Sequence, residues 1–186
     1  MPMTSTKIKT LNKALLFLFF TLTLLNCESK ISNSEPEGNT LTVFLVRHGE
    51  KVDSSKDPEL SEAGKTRALK LAEVLRSTKI DHVYSSDFIR TRETAAPTAK
   101  LFDLKTQLYN PRELQSFKDK LMAEGGRSLV VGHSNSTPAL VELLGGDPGT
   151  PINEASEYDR LYIVTKMPNG KVNTVLIRYG MPYANN

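Results

Sequence analysis

The 186-residue chain has a single cysteine, Cys27, so no disulfide can form within it and a domain built from it must rely on its hydrophobic core. Histidine is almost as scarce. His48, His82 and His133 stand far apart, without the close ligand spacing of a zinc hydrolase, so neither a metal nor a cofactor is expected. An excess of charge is missing too. The formal +3 belongs to the beginning of the chain: Met1–Asn26 carry three lysines and no acid, which leaves 21 basic against 21 acidic residues from Cys27 onward. A balanced domain has no global field to attract nucleic acid, and no basic stripe with interleaved aromatics appears, so no nucleic-acid partner is expected. No internal repeat or second domain is evident. Length and a hydrophobic content of 39% fit one globular domain.

The first forty residues are set apart from that domain. Lys7, Lys9 and Lys13 precede the apolar block Ala14–Leu25, which stops at Asn26-Cys27. A basic head and a short apolar middle read as a secretory signal over residues 1–26, too short for a comfortable membrane-spanning helix. Leu24-Leu25-Asn26-Cys27 resembles the lipobox of bacterial lipoproteins, in which the cysteine is acylated; Asn26 departs from the usual small residue. The resemblance implies export to the bacterial cell envelope, on the periplasmic or outer-membrane side, with the membrane as a partner through Cys27. Glu28–Thr40, polar and containing Pro36 and Gly38, reads as a flexible tether, giving a 27–40 linker and a 41–186 domain.

Leu41–Glu50 (LTVFLVRHGE) is the stretch around which the domain is organised. Leu41–Val46 is short, β-branched and apolar on both faces, as expected of a central strand of a parallel sheet. Arg47 and His48 fall at its carboxyl end, where open α/β sheets bind ligands. Ser61 is a candidate N-cap for a helix whose buried face is Ala68, Leu71, Ala72 and Leu75. His82–Ser85 predicts the next strand, with His82 an ordinary residue at its far end. Ser86 or Asp87 is then expected to cap a helix that brings Arg90 toward the sheet's carboxyl edge, leaves Arg92 on the surface and kinks or restarts at Pro97. Residues 105–109 read as a weak strand, and Glu113–Ala123 as a helix with Leu114, Phe117, Leu121 and Met122 facing the core.

Ser128–Val131 is a second buried strand, and it too ends in a histidine: Gly132, His133, Ser134. Ser136 is a candidate cap for the helix that follows, Pro138 falls in its first turn and Gly145-Gly146 stops it. Two buried strands that each deliver a histidine to one sheet edge, with Arg47 and Arg90 nearby, describe a compact, positively polarised pocket. Tyr158–Lys166 and Val172–Arg178 flank Asn169-Gly170, a two-residue hairpin signal, so an antiparallel hairpin is expected to extend the parallel sheet.

Four of these segments, RHGE at Arg47–Glu50, LSEAG at Leu60–Gly64, YSSDFIRTRETA at Tyr84–Ala95 and VVGHSNS at Val130–Ser136, resemble the successive motifs of the histidine phosphatase superfamily. The resemblance implies the phosphoglycerate mutase-like fold, a three-layer α/β/α domain with a mostly parallel central sheet and a C-terminal antiparallel hairpin. It also implies His48 as the nucleophile that accepts phosphate, Arg47 and Arg90 as phosphate ligands and His133 as a fourth member of the pocket. Ser134 stands where the acid-phosphatase and phytase branch has Asp, and RHGE lacks that branch's Arg-x-Pro, so the smaller phosphoglycerate mutase-like branch fits better. With little room for the insertions of the mutases, hydrolysis of a small phosphorylated substrate is favoured over phosphate transfer.

The resemblance points to Glu113 as the proton donor, with Glu50 and Asp87 as rivals. Two other readings use the same residues. Gly132–Ser136 nearly matches a nucleophile elbow with Ser134 as nucleophile, but no histidine follows Ser134 to complete a hydrolase triad. A lipoprotein that binds a phosphate ligand without turnover would keep the same four pocket residues.

Overall fold

The computed structural model describes residues 39–182, which belong to one compact unit. The expected signal peptide, Cys27 and nearly all of the tether lie outside the described residues. Among the described residues no helix is long and apolar enough to cross a membrane.

The elements follow one another as β1 (Leu41–Arg47), α1 (Glu62–Leu75), β2 (His82–Ser86), α2 (Ile89–Leu101), β3 (Thr106–Tyr109), α3 (Leu114–Glu124), β4 (Gly126–Gly132), α4 (Ser136–Leu143), β5 (Arg160–Lys166) and β6 (Val172–Arg178). They form a six-stranded sheet in the order β3-β2-β4-β1-β5-β6. The first four strands are parallel, while β5 pairs antiparallel with β1 and β6 antiparallel with β5.

Strand periodicity divides the core in two. Val43 and Leu45 of β1 join Phe117 and Leu121 of α3 and Leu140 and Val141 of α4 on one face of the sheet. Phe44 and Val46 join Leu71 and Leu75 of α1 and Ala95 and Ala99 of α2 on the other. Both faces are therefore covered, which explains why β1 reads as an unbroken apolar run: each fully buried valine or leucine contributes about 1.5–3 kcal/mol. The result is the expected three-layer α/β/α domain with its antiparallel hairpin.

Several local expectations change. Ser61 caps α1 as expected, its hydroxyl accepting from Gly64 N–H. The start of α2 is not capped by Ser86 or Asp87; its N-cap is Phe88, and Asp57, from the loop after β1, accepts from Ile89 N–H at 2.9 Å. α2 runs through Pro97 without restarting. Met122 is exposed and leaves the α3 core stripe to Leu114, Phe117 and Leu121. α4 is capped by Asn135, not Ser136, whose hydroxyl instead accepts from His133 N–H. The hairpin turn is longer than two residues: Gly170 N–H donates to Met167 O, Met167 N–H to Lys171 O, and Gly170 takes a φ of +82°, a three-residue loop with a glycine bulge.

Register places the edge that matters. Arg47 pairs with Gly132 across β1 and β4, and His48 N–H continues the ladder to Gly132 O at 3.0 Å. His48 and His133 thus leave neighbouring strands at the same height, with Ser86 at the end of β2 on the other side of β4.

Candidate active site

His48 is 4% exposed. Its Nδ1 lies 2.7 Å from Gly49 O, a carbonyl that can only accept, so the proton sits on Nδ1 and Nε2 carries the lone pair. Burial pushes this imidazole down to about 3; the Gly49 carbonyl works against that shift, and the charges of Arg47 and Arg90 and the neighbouring His133 add to it. The ring is therefore neutral at pH 7, with Nε2 unprotonated.

Two guanidiniums flank it. Arg47 is 2% exposed and stacks 4.0 Å from the centre of the Tyr158 ring. Its Nη1 donates to Asn153 O and Glu157 O at 3.3 and 3.0 Å, and its Nη2 to Glu154 O at 2.7 Å. Arg90 lies 4.4 Å over the Phe88 ring, and its Nη1 reaches Asp57 Oδ1 at 3.4 Å. In both side chains Nε is buried without a hydrogen-bond partner among the described residues. A buried, permanently charged donor left unpaired is costly, and a planar Nε/Nη edge matches the oxygens of a phosphate group.

His133 stands 5.5 Å from His48, ring centre to ring centre, in an edge-on arrangement. Arg90 Nη2 lies 3.5 Å from its Nδ1 and Ser86 Oγ lies 2.9 Å from its Nε2. Arginine can only donate, so Nδ1 is the acceptor and Nε2–H points to Ser86, whose hydroxyl donates on to Thr91 Oγ1 at 3.1 Å. A donor role for His133 toward a phosphate requires the other tautomer, reached when the Ser86 hydroxyl turns from Thr91 to Nε2. Burial, followed by the charges of Arg90 and Arg47, lowers His133 to about 4.

The motifs interlock through backbone contacts. Gly49 N–H donates to Thr94 Oγ1, which donates to Arg90 O, and Leu60 N–H donates to Glu93. A cleft of about 370 Å³ opens over this constellation, walled by His48, Arg90 and His133 with Lys51, Arg112 and Glu154. A larger cavity of about 770 Å³ borders Arg160 and Arg178 and contains neither histidine; its charged walls are already joined as ion pairs. Among the described residues no group of side chains could hold a metal ion.

None of the three expected proton donors is among the residues that line this cleft. Glu113 is exposed at the start of α3, outside the cleft wall that its neighbour Arg112 joins. Glu50 is held by Arg67, whose Nε and Nη2 both contact its carboxylate. Asp87 is exposed and paired with Arg92, which is the surface residue expected. Ser134 lines the cleft, but neither nitrogen of His133 turns to it, so it has no base. Asp57 and Glu154 are the additions: Asp57 sits in a polar loop, and Glu154 in a stretch between α4 and β5 without periodicity, so nothing local marks either.

The family model of the histidine phosphatase superfamily (branch 1) matches residues 43–116. The probable phosphoglycerate mutase GpmB of Salmonella paratyphi A is 39% identical over 159 residues, covering 76% of this chain and 70% of that protein. The GpmB of Photorhabdus laumondii is 31% identical over 130 residues, 66% of this chain; there the chain spans only 59% of its relative. Among solved structures, the protein histidine phosphatase SixA complexed with tungstate aligns with a TM-score of 0.60 at 20% identity, over 74% of this chain and 97% of that one. Phosphoglycerate mutase from Bacillus anthracis aligns with a TM-score of 0.62 at 18% identity, over 76% and 94%. These likenesses support the fold.

Proposed function

The chain belongs to the histidine phosphatase superfamily, and from that membership and the cleft we propose that it hydrolyses small phosphomonoesters through a phosphohistidine on His48. The observation that carries this reading is a buried, neutral imidazole, His48, that lines one cleft with Arg90 and His133 and lies within reach of the Arg47 and Arg90 charges. Phosphoryl transfer needs alignment and stabilisation of charge on the equatorial oxygens more than it needs covalent help beyond an acceptor. Arg47 and Arg90 supply fixed cationic donors, and His133 supplies a third once the Ser86 hydroxyl has turned. Nε2 of His48, its proton held on the far nitrogen by Gly49 O, is the atom that attacks phosphorus.

The test is phosphate release by the protein from a panel of phosphomonoesters, with His48→Ala beside it. Loss of the covalent acceptor is expected to cut release by about 10³-fold or more. Equal release by protein and variant would remove His48 from the reaction. Phosphate binding without release from any ester would make the domain a binding module.

A further inference from the structure

We propose that Glu154 is the proton donor to the leaving group and, in the second half-reaction, the base that activates water. This rests on the phosphatase reading above. Among the described residues Glu154 alone of the acidic residues lines the cleft that contains His48, Arg90 and His133. Its carboxylate charge acts on both Arg47 and Arg90, the two guanidiniums that would hold the phosphate. Its backbone is fixed to the same site, because its carbonyl accepts from Arg47 Nη2 at 2.7 Å.

A second cavity fixes the direction. A groove of about 470 Å³ adjoins the cleft and runs past Pro138 and Ala139 of α4 to Pro151 and Ile152. Glu154 lines both cavities, as do Ser134 and Asn135. The phosphoryl group in the cleft and the rest of the ester in the groove must be joined at this boundary, so the bridging oxygen passes Glu154. Among the described residues the groove carries Glu142 and Glu154 and no cation, while Lys51 and Arg112 line the cleft and not the groove. A neutral, partly apolar leaving group is therefore the class that fits it.

The step balances. His48 Nε2 forms a bond to phosphorus as the P–O bond to the leaving group breaks, and Glu154, in its acid form, gives its proton to that oxygen, releasing an alcohol. Water then attacks phosphorus, its proton goes to the Glu154 carboxylate, the P–N bond breaks, and phosphate leaves with His48 and Glu154 restored.

The test exploits leaving-group acidity. An ester of p-nitrophenol needs no proton to depart, whereas glycerol 2-phosphate does. For each protein the ratio of kcat/KM on p-nitrophenyl phosphate to that on glycerol 2-phosphate is measured, because kcat/KM reports the steps up to departure of the leaving group. In Glu154→Gln this ratio is expected to widen by about 10²-fold or more, and in Glu113→Gln to remain that of the parent. An unchanged ratio in Glu154→Gln, whether both rates fall together or neither falls, overturns the proposal; a widened ratio only in Glu113→Gln assigns the donor to Glu113. His48→Ala is run in parallel. If it matches the parent, the phosphatase reading fails first and this proposal with it, whereas loss in His48→Ala beside an unchanged Glu154→Gln ratio overturns the donor alone.

Discussion

Neutral imidazoles next to two guanidiniums give the cleft its pH behaviour. His48 is lowered to about 3 and His133 to about 4, in each case chiefly by burial, from an ordinary value of about 6.5. Below that ordinary value the unfolded chain takes up protons that the folded site refuses. The contribution of these side chains to stability is then complete above about pH 6.5 and falls as the pH drops through the window toward the folded values. Two outcomes follow at the scale of single residues. Imidazole nitrogen NMR of the free protein should show both rings neutral from pH 8 down to pH 5, and melting temperature should fall between pH 7 and pH 5. A protonation midpoint near 6.5 for either ring would mean that the cleft is not desolvated as described; for His48 it would also mean that the proposed nucleophile is lost in mild acid.

Elements meet closely where the RHGE and LSEAG segments touch. Gly64 lies in the first turn of α1, and a Cβ there would stand 2.3 Å from Glu50 O and 2.9 Å from Glu50 N, both backbone atoms. A Cβ on Gly49 would in turn meet Gly64 O at 2.9 Å. Helix propensity alone would make Gly64→Ala stabilising by roughly 1 kcal/mol, while the clash moves the backbone that follows His48 and costs about 1–3 kcal/mol. Gly64→Ala is therefore expected to lower the melting temperature and to reduce phosphate release together; a raised melting temperature would show that the contact relaxes freely. The elements themselves were legible in the sequence, since β1 and β4 are short unbroken apolar runs, α1 buries one helical face and Asn169-Gly170 marks the hairpin turn. The two histidines and Arg90 were legible for the same reason, being placed by strand ends and a first helical turn. What periodicity could not carry was the pairing of distant loops. Ser86 and Asp87 had the chemistry to cap α2, yet Ser86 is used by His133 and Asp87 by Arg92, and the capping acceptor comes from Asp57, thirty-two positions before Ile89. Glu113 read as a site residue from its motif, but the turn before α3 sends its neighbour Arg112 to the cleft instead.

Across the whole molecule, the loop that holds Arg47 is itself held by the C-terminal hairpin. Glu157, 3% exposed, gives Arg47 Nη1 a backbone carbonyl at 3.0 Å, while its carboxylate accepts from Arg160 Nε at 2.6 Å, from Arg178 Nη1 at 2.7 Å and from Asn153 N–H at 2.9 Å. Arg160 opens β5 and Arg178 closes β6, so one buried carboxylate ties the antiparallel end of the sheet to the backbone that sets the Arg47 guanidinium. The pair with Arg160 is buried on both sides; that with Arg178, whose side chain is 47% exposed, is screened and contributes less. Removing the Glu157 charge leaves Arg160 buried without its ionic partner, at a cost on the order of 3 kcal/mol. For a domain of this size that corresponds to a fall in melting temperature of roughly 6–12 °C. The functional consequence separates a positioning role from a merely structural one. In Glu157→Gln, assayed well below its melting temperature, inorganic phosphate should bind more weakly and KM should rise more than kcat falls, because the bond that loosens is to Arg47, the proposed phosphate ligand, and not to His48. Unchanged phosphate affinity in the folded variant would mean that the Asn153 and Glu154 carbonyls hold Arg47 unaided, and that the hairpin contributes stability alone.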